Sequence, residues 1–365
     1  MTGTPRVDVV VACHDLSRPI ERAVHSILLD PRSEPLARVT VVAHGLPAST
    51  IEERLSGIPG SWRVVEFSDG VRSAAGPFNF GLSLADADYC AVMGSDDFLE
   101  SGALRHWLVR ADAGGADAVL APIRIDGLPV MPNPLPRLGR STRLDAAKDR
   151  LFYRTAPLGL IRTASMRRMG LRMIEGVRVG EDFEFGIRLF SLSDRIDLAE
   201  GSPCYVIGTD ARERTTLAPM RLEEDLAAVT RLLDERIPYE LPPTHRRALV
   251  VKLIRVSILG KATSRPRADD WADDAEVRFL RDLLGRMLAV HPRALSVFNL
   301  QDRSVLDALA NEATRANISV AVARATRAGR YRRWMTRNPI YAFGRESTLR
   351  RYVLYTLRRQ RSSRE

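Results

Sequence analysis

The stretch Ala91-Val92-Met93-Gly94-Ser95-Asp96-Asp97-Phe98-Leu99 joins an apolar run to two adjacent carboxylates. The run begins at Tyr89 and predicts a buried strand, because short apolar runs bounded by turn residues are typical of strands in parallel sheets. In an open α/β sheet, ligands bind beyond the carboxyl ends of the strands. Two adjacent carboxylates at that place repel each other unless a cation or a polar ligand takes their charge. The stretch therefore predicts a sheet with a ligand-binding edge, and a helix N-cap is the alternative use of the same Ser and Asp side chains.

Strand-like and helix-like patterns alternate on both sides of that stretch. Short apolar runs predict strands at residues 7–12, 39–42, 63–67, 89–93, 118–123, 158–162 and 205–207. Apolar residues at helical spacing predict helices between them, near residues 20–28, 78–85, 104–111, 145–153, 164–169 and 183–192. The first of these helices has Ser17 as a candidate N-cap and Pro19 in its first turn. Strands that alternate with helices in this way favour βαβ units and a mainly parallel sheet.

The pattern changes near residue 215. Beyond it only helices are predicted, at residues 220–236, 244–260, 274–290, 305–327 and 349–361. A chain of 365 residues has the length of two domains, since domains hold roughly 100 to 200 residues each. We therefore predict an α/β domain over residues 1–215 and a helical domain over residues 216–365.

A second acidic motif, Gly180-Glu181-Asp182, opens an amphipathic helix. A carboxylate at a helix N-terminus is stabilised by the helix dipole, which keeps it ionised. An ionised and well-positioned carboxylate can act as a general base. The alternative is a structural helix start, in which the acids cap the helix and Glu184 pairs with Arg188 one turn later.

In their order and separation, the two acidic motifs resemble those of inverting glycosyltransferases of family 2, which have the nucleotide-diphospho-sugar transferase (GT-A) fold. The resemblance covers about residues 6–215. It includes Asn79-x-Gly81-Leu82, the Ser95-Asp96-Asp97 motif with the helix start that follows it, and Gly180-Glu181-Asp182. It implies an α/β protein of the GT-A fold with a mainly parallel sheet, followed here by a C-terminal α-helical region.

The resemblance also implies a reaction. A sugar would pass from a nucleotide-diphospho-sugar to a hydroxyl of a glycan or lipid-linked acceptor, with inversion of the anomeric carbon, in cell-envelope or extracellular polysaccharide synthesis. Asp97 would bind the divalent metal, Mn²⁺ or Mg²⁺, that bridges the diphosphate. Asp96 would contact the ribose, or the metal through water. Asp182, with Glu181 beside it, would remove the proton from the acceptor hydroxyl.

Some positions depart from the family pattern. After the second strand the family usually has Asp-Asp-x-Ser, whose acid helps to bind the nucleotide base, whereas residues 43–46 here read Ala-His-Gly-Leu. Gly94 and Phe78 stand where the family more often has aspartate and arginine. His44 is expected to supply a replacement hydrogen bond to the base, and a solvated loop histidine is the alternative. The other residues expected to bind the donor are Asn79, Arg212 and Arg214, of which the two arginines have solvated loop positions as their alternative.

Composition excludes several classes of protein. The chain is 45% hydrophobic and 27% charged, as ordinary globular proteins are, so it is neither collagen-like nor wholly disordered. No Gly-rich phosphate loop ending in Lys-Ser/Thr is present, which argues against a P-loop kinase. No Cys-x-x-Cys pair is present, which leaves structural zinc unsupported. A catalytically inactive binding module that keeps the sheet is the alternative function, favoured by the altered residues at 43–44.

The cysteines and the N-terminus bear on localisation. Three cysteines suit reduced, buried thiols and hence a reducing compartment. The first residues lack the basic segment and apolar run of a signal peptide, and no run approaches the roughly 18 apolar residues of a spanning helix. We therefore expect a cytoplasmic protein, peripheral at most to the inner face of the cell membrane.

The positive charge lies at the C-terminus. The chain has a formal net charge of +10, and residues 324–365 contain 13 arginines and 2 glutamates. Trp334, Tyr352 and Tyr355 are interleaved with these arginines, a composition that suits the surface of an anionic membrane. Nucleic acid is a less expected partner. The remaining alternative is a terminal helix that packs its aromatic side chains on the domain and exposes its arginines.

Overall fold

The computed structural model describes residues 4–29, 36–210, 220–311 and 313–362. They divide into two compact units. The first comprises the described residues within 1–133, 139–145 and 154–218, and the second comprises those within 134–138, 146–153 and 219–365. The predicted boundary at residue 215 lies outside the described residues, and the division into domains at that point stays a prediction.

The first unit is built on a sheet of seven strands in the order β3-β2-β1-β4-β8-β6-β9. Their bounds are β1 Val7–Cys13, β2 Ala37–His44, β3 Ser61–Phe67, β4 Tyr89–Gly94, β6 Ala118–Leu120, β8 Gly159–Arg162 and β9 Ile196–Leu198. The pairs β1–β2, β2–β3, β1–β4 and β6–β9 are parallel, whereas β8 is antiparallel to β4 and to β6. The predicted mainly parallel sheet is therefore confirmed.

A second sheet of three strands lies in the same unit, in the order β5-β10-β7. Its strands are β5 Phe98–Leu99, β7 Ile123–Ile125 and β10 Tyr205–Ile207. The strand predicted at residues 118–123 is in fact divided between β6 and β7, which belong to different sheets. Strands β5 and β9 are not predicted from the sequence.

Helices cover the sheet of the first unit. They are α1 Ile20–Leu28, α2 Ala48–Leu55, α3 Ala75–Ser83, α4 Ala103–Gly114, α5 Thr163–Arg168 and α6 Phe183–Leu192. Helix α1 has Pro19 at its N-cap, and Ser17, the expected cap, instead donates to the Asp15 carboxylate at 2.7 Å. Helix α3 approaches the sheet closely, since a Cβ added at Gly81 would meet Val10 at 2.3 Å. The Asn-x-Gly-Leu pattern thus needs glycine because a larger residue would push α3 off β1 and β2.

The second unit is helical. Its helices are α7 Leu222–Asp225, α8 Ala227–Asp234, α9 Ile237–Glu240, α10 Pro243–Leu253, α11 Gly260–Thr263, α12 Asp274–Val290, α13 Leu300–Asn311, α14 Arg315–Thr326, α15 Arg330–Trp334 and α16 Thr348–Ser362. A π-helical segment, Ile254–Leu259, joins α10 to α11. The helix predicted at residues 305–327 is two helices, and the Thr314 side chain caps the second by accepting from Asn317 N at 3.3 Å. None of the described helices is long and apolar enough to span a membrane.

The helix predicted over residues 145–153 is wrong. That segment forms turns and ends in a single 3₁₀ turn, Leu151–Tyr153. Arg150 has φ of 58°, a left-handed conformation that no residue of a right-handed helix can keep. Its buried guanidinium donates to Leu135 O and Arg345 O, and these carbonyls hold the residue there.

The C-terminal segment of the second unit agrees with the packed-helix alternative only in part. Most of its described arginines are exposed, as that alternative expects, but several of its aromatic side chains are exposed as well. Ile340, Phe343 and Tyr331 are 75%, 66% and 64% exposed. Arg358 is buried and donates to the Pro136 and Arg137 carbonyls at 3.1 Å. This segment therefore packs Arg358 inward and exposes both other arginines and some of its aromatic and aliphatic side chains.

Candidate active site

Polar side chains line one edge of the seven-stranded sheet. Strands β3, β2, β1 and β4 are neighbours and run parallel, so their carboxyl ends lie together. Asp69 follows β3, His44 ends β2, Asp15 follows β1, and Asp96 and Asp97 follow β4. The structure thus brings the predicted His44 and Asp96–Asp97 to the same edge, where ligands of open α/β sheets bind.

Asp97 lies in a turn and accepts two hydrogen bonds. Tyr205 Oη, on β10, donates to its Oδ2 at 2.5 Å, and Gly208 N donates to its Oδ1 at 2.9 Å. Burial raises the pKa of Asp97, and the charge of Asp96 raises it further, although the Tyr205 hydrogen bond opposes both. The next long helix, α4, begins only at Ala103, so Asp96 and Asp97 do not cap it.

Asp96 forms an ion pair. Arg18 Nη1 donates to Asp96 Oδ1 at 2.8 Å, and each side chain is 13% exposed. Arg22, in the first turn of α1, donates through Nη2 to the Asp96 backbone carbonyl and through Nη1 to Asp210 Oδ2, both at 2.5 Å. Two arginines therefore lie beside the aspartate pair, and a phosphate group bound here would meet positive charge.

Gly94 leaves space for both carboxylates. A Cβ added at this residue would lie 2.8 Å from Asp97 Oδ2 and 3.2 Å from Asp96 Oδ1. Gly94 N also donates to Tyr205 Oη at 3.2 Å, which helps to fix the tyrosine that holds Asp97. The family more often has aspartate at this position, but here a side chain would crowd the carboxylates of Asp96 and Asp97. Glycine therefore suits the way these two aspartates pack.

The chemistry of this pair suits a divalent metal only in part. Carboxylate oxygens are the ligands that Mg²⁺ and Mn²⁺ prefer, and the carboxylates of Asp96 and Asp97 both lie close to Gly94. Both oxygens of Asp97 already accept hydrogen bonds, and Arg18 takes one oxygen of Asp96. Among the described residues, no cluster of three His, Cys, Asp or Glu side chains could hold a metal. A cation held by this pair would need further ligands, such as the phosphate oxygens of a bound nucleotide, to complete its coordination.

Glu181 and Asp182 lie directly before α6, and both are half-buried. Burial raises the pKa of the Glu181 carboxyl to about 7, and the neighbouring Asp182 adds to the shift. Asp182 is the N-cap residue of α6, but its side chain makes no capping hydrogen bond. Glu184 does pair with Arg188 Nε, at 2.7 Å, as the structural alternative requires. The structural alternative predicted that the acids cap the helix, and for the Asp182 side chain this is wrong. Asp182 remains a candidate base.

Asn79 joins α3 to the loop before Glu181. Its Nδ2 donates to Met173 O at 3.0 Å and to Glu175 Oε1 at 2.8 Å, and its Oδ1 accepts from Met173 N at 2.8 Å. The next residue, Ile174, donates its N–H to Glu181 O at 2.8 Å. The buried Asn79 side chain therefore fixes the backbone that carries the second acidic motif, and its binding of the donor stays a prediction.

His44 pairs with an acid that the sequence did not reveal. His44 Nε2 lies 2.9 Å from Asp69 Oδ1, which also accepts from Val71 N at 2.9 Å. The His44 ring lies 5.7 Å from the ring of Phe67, which in turn stacks on Phe80 at 5.3 Å between centroids. The end of β3 thus places an acid beside His44, and His44 is not a freely solvated loop residue.

Four residues of this edge are not predicted as site residues from the sequence: Arg18, Arg22, Asp69 and Tyr205. Each reaches its partner through the tertiary fold, and Tyr205 and Asp97 are 108 residues apart. For Arg18 and Arg22 a signal did exist, since both follow β1 closely in sequence, Arg18 in the loop and Arg22 in the first turn of α1. The predicted Arg212 and Arg214 lie outside the described residues.

Comparisons with known proteins agree with this architecture. Residues 8–172 match the sequence profile described as glycosyl transferase family 2. The succinoglycan biosynthesis protein ExoO of Rhizobium meliloti (strain 1021) is 29% identical over 199 residues, which is 49% of this chain and 54% of ExoO. The chain therefore spans about half the length of this curated relative.

Two solved structures resemble the chain in fold. TarS residues 1–349 of S. aureus, in complex with UDP-GlcNAc, superposes with a TM-score of 0.73 at 17% identity and covers 90% of this chain and 93% of that one. The mannosyltransferase PcManGT of Pyrobaculum calidifontis, in complex with GDP-Man and Mn²⁺, gives a TM-score of 0.51 at 15% identity, over 89% and 86% of the two chains. The predicted GT-A fold is confirmed by the likeness to TarS.

Proposed function

We propose that the chain transfers a sugar from a nucleotide-diphospho-sugar to a hydroxyl group, with inversion of the anomeric carbon, because residues 8–172 match the sequence profile of glycosyl transferase family 2. The observation that carries this proposal is the row of polar groups at the carboxyl ends of β3, β2, β1 and β4. His44 lies toward one end of this row, and Arg18 and Arg22 lie beside the aspartates at the other end. The histidine suits the base of a nucleoside diphosphate, and the arginines suit its phosphates.

The arginines stabilise the leaving group. As the glycosidic bond to the donor breaks, negative charge builds up on the nucleoside diphosphate. Arg18 and Arg22 lie beside Asp96, and preorganised cations close to developing charge lower the barrier. Arg212 and Arg214 are proposed to assist from the segment after β10.

A divalent cation, Mn²⁺ or Mg²⁺, is proposed to bind with the donor. Asp96 and Asp97 would hold it, and Asp96 is the more available of the two because Tyr205 and Gly208 occupy both oxygens of Asp97. The cation would neutralise part of the diphosphate charge.

Asp182 is the proposed general base. It precedes α6, whose positive N-terminal end favours the ionised carboxylate. The carboxylate would take the proton of the acceptor hydroxyl as the oxygen attacks the anomeric carbon, on the face opposite the leaving diphosphate. Glu181, with its raised pKa, is the neighbouring carboxyl that would exchange this proton with solvent.

The acceptor is proposed to be a glycan or a lipid-linked sugar at the inner face of the cell membrane, in polysaccharide synthesis. ExoO takes part in succinoglycan biosynthesis by its name, which supports this class of product. The exposed apolar side chains and the arginines of residues 324–365 suit an anionic membrane surface. The protein would work in the cytoplasm, on or near that surface.

Donor hydrolysis tests the proposal. Wild-type protein is incubated with UDP-, GDP- and TDP-sugars in the presence of Mn²⁺, and release of the nucleoside diphosphate is measured beside thermal shifts for the same compounds. We expect one nucleotide family to stabilise the protein and to be hydrolysed slowly, and Asp182→Asn to bind that donor without hydrolysing it. A panel that neither binds nor reacts would contradict the transferase and favour the inactive binding module.

A further inference from the structure

His44 and Asp69 form a pair whose chemistry restricts the ligand that can bind beside it. His44 Nε2 lies 2.9 Å from Asp69 Oδ1. Burial raises the pKa of Asp69, but hydrogen bonds from Val71 N and His44 outweigh it and hold that pKa below its usual range. An ionised carboxylate can only accept hydrogen bonds. Nε2 of His44 must therefore carry the hydrogen.

The tautomer follows from this pairing. A neutral imidazole has one N–H and one bare nitrogen, so a hydrogen on Nε2 leaves Nδ1 as an acceptor. The His44 side chain is 12% exposed and the Asp69 side chain 27% exposed, so His44 is mostly enclosed while Asp69 remains partly in contact with water. His44 thus presents a fixed hydrogen-bond acceptor at the carboxyl end of β2.

Gly76 packs closely against Asp69 and Phe67. A Cβ added at Gly76 would lie 2.3 Å from Asp69 Oδ2 and 2.8 Å from Phe67 Cε1. Any larger residue at the start of α3 would displace the acid, the ring or both. The acceptor on His44 therefore depends on a glycine, an aromatic ring and a carboxylate that the fold places together.

The distance between His44 and the two arginines along the carboxyl edge of the sheet indicates which part of a ligand would lie beside the His44 acceptor. Arg18 and Arg22 lie beside Asp96 at the end of β4, and β1 separates β4 from β2. Two strand spacings amount to about 10 Å, close to the length of a nucleoside. With its phosphates at the arginines, a nucleoside diphosphate would extend its base toward His44 and Phe67.

We infer that His44, with its tautomer fixed by Asp69, selects a nucleotide whose base carries a hydrogen on its ring nitrogen, as uracil and guanine do and cytosine does not. Asp69 acts through His44 and is a positioning residue. The inference rests on the proposed function and adds the class of base to it.

UDP and CDP give a test at equal base size, because uracil and cytosine differ only at two neighbouring positions: uracil has a hydrogen on N3 and a carbonyl at C4, whereas cytosine has a bare N3 and an amino group at C4. Their affinities for the full chain are measured calorimetrically at about pH 8, where imidazole is ordinarily neutral. We expect wild-type protein to bind UDP at least about tenfold more tightly than CDP, since CDP sets two bare nitrogens against each other. Asp69→Ala is expected to reduce that ratio to about threefold or less, and Ser68→Ala, on the same turn, to leave it unchanged.

The tautomer itself has a separate readout. Nitrogen NMR of ¹⁵N-histidine-labelled protein, with the His44 signals assigned by comparison with His44→Ala, should show Nε2 protonated in the wild type. In Asp69→Ala the two tautomers should mix. Because this spectrum needs no ligand, it reports on the pair even in a variant that binds nucleotides weakly.

The outcomes separate the two claims. Equal affinity for UDP and CDP, a hydrogen on Nδ1, or an unchanged ratio in Asp69→Ala would overturn the selection by His44 while the transferase proposal stands. If neither nucleotide binds and no nucleotide sugar is hydrolysed, the proposed function is wrong and the base selection falls with it.

Discussion

Arg18 and Asp96 form an ion pair at 2.8 Å between the loop after β1 and the turn after β4, with both side chains 13% exposed. The pair joins the two strands at the centre of the ligand-binding edge. Asp96 thus already has a positive partner before any ligand binds. A metal that came to Asp96 would have to share this carboxylate with Arg18 or displace it.

Replacing Arg18 should leave Asp96 as a nearly buried, unpaired charge. We expect Arg18→Gln to destabilise the protein by about 3 kcal/mol, since removing one partner of a buried pair typically costs this much. Urea denaturation measures the loss. Asp96→Asn in the same chain should restore part of it, and fully additive losses in the double variant would show that the pair contributes nothing of its own.

Asp97 is expected to be essential for donor binding. In Asp97→Ala, transfer and metal-dependent binding of the nucleotide should both be lost, as measured by product formation and by titration with the nucleotide in Mn²⁺ and in EDTA. Tyr205→Phe is the control, because it removes only the hydroxyl that donates to Asp97 Oδ2. If the phenylalanine variant loses as much as the alanine variant, Asp97 acts through its place in the turn and not through a cation.

The position of these acids could be predicted because a buried strand followed by two carboxylates is a local pattern. Their partners could not, since Arg18, Tyr205 and Asp69 meet Asp96, Asp97 and His44 only when distant segments fold together. The same holds for the helix predicted at residues 145–153. Its apolar spacing was helical, but carbonyls of the distant residues 135 and 345 hold Arg150 in a left-handed conformation.

Asp182→Asn should separate catalysis from binding. Asparagine has the size of aspartate but does not take up a proton, and general-base catalysis typically contributes about 10² to 10⁴-fold. We therefore expect turnover to fall by that order while donor affinity stays nearly unchanged. Steady-state kinetics with the identified donor and acceptor measure both. A variant with normal turnover at saturation and weakened donor binding would assign Asp182 to positioning.

Glu181 should make the protein less stable as the pH rises. Its pKa is about 7 in the folded chain, against 4.5 for the free side chain. Between these values the folded state binds more protons than the unfolded state, so the free energy of unfolding falls with pH. We expect Glu181→Gln to gain stability relative to wild type between about pH 5 and pH 8, measured by urea denaturation. A constant difference across that range would show that Glu181 ionises normally.

The C-terminal segment should bind anionic membranes through its exposed side chains. Ile340 and Phe343, 75% and 66% exposed, lie on one 3₁₀ turn, Pro339–Phe343, in a region rich in arginine. Apolar side chains that enter the lipid interface act together with basic residues, each of which adds about 1 kcal/mol near an anionic surface. We expect the full chain to sediment with phosphatidylglycerol vesicles at low salt and to be released as salt screens the attraction.

Substitution is a sharper test of this surface than truncation. Removing residues 329–365 would also remove Arg358 and the buried Glu346, which pack within the helical unit. Ile340→Ser with Phe343→Ser should instead weaken sedimentation and leave donor hydrolysis and folding unchanged. Val320→Ser is the matched control, because Val320 is 49% exposed on α14, outside the segment. Equal sedimentation of the double variant and the control, or no binding by the wild type at any salt concentration, would contradict a membrane-binding surface at these residues.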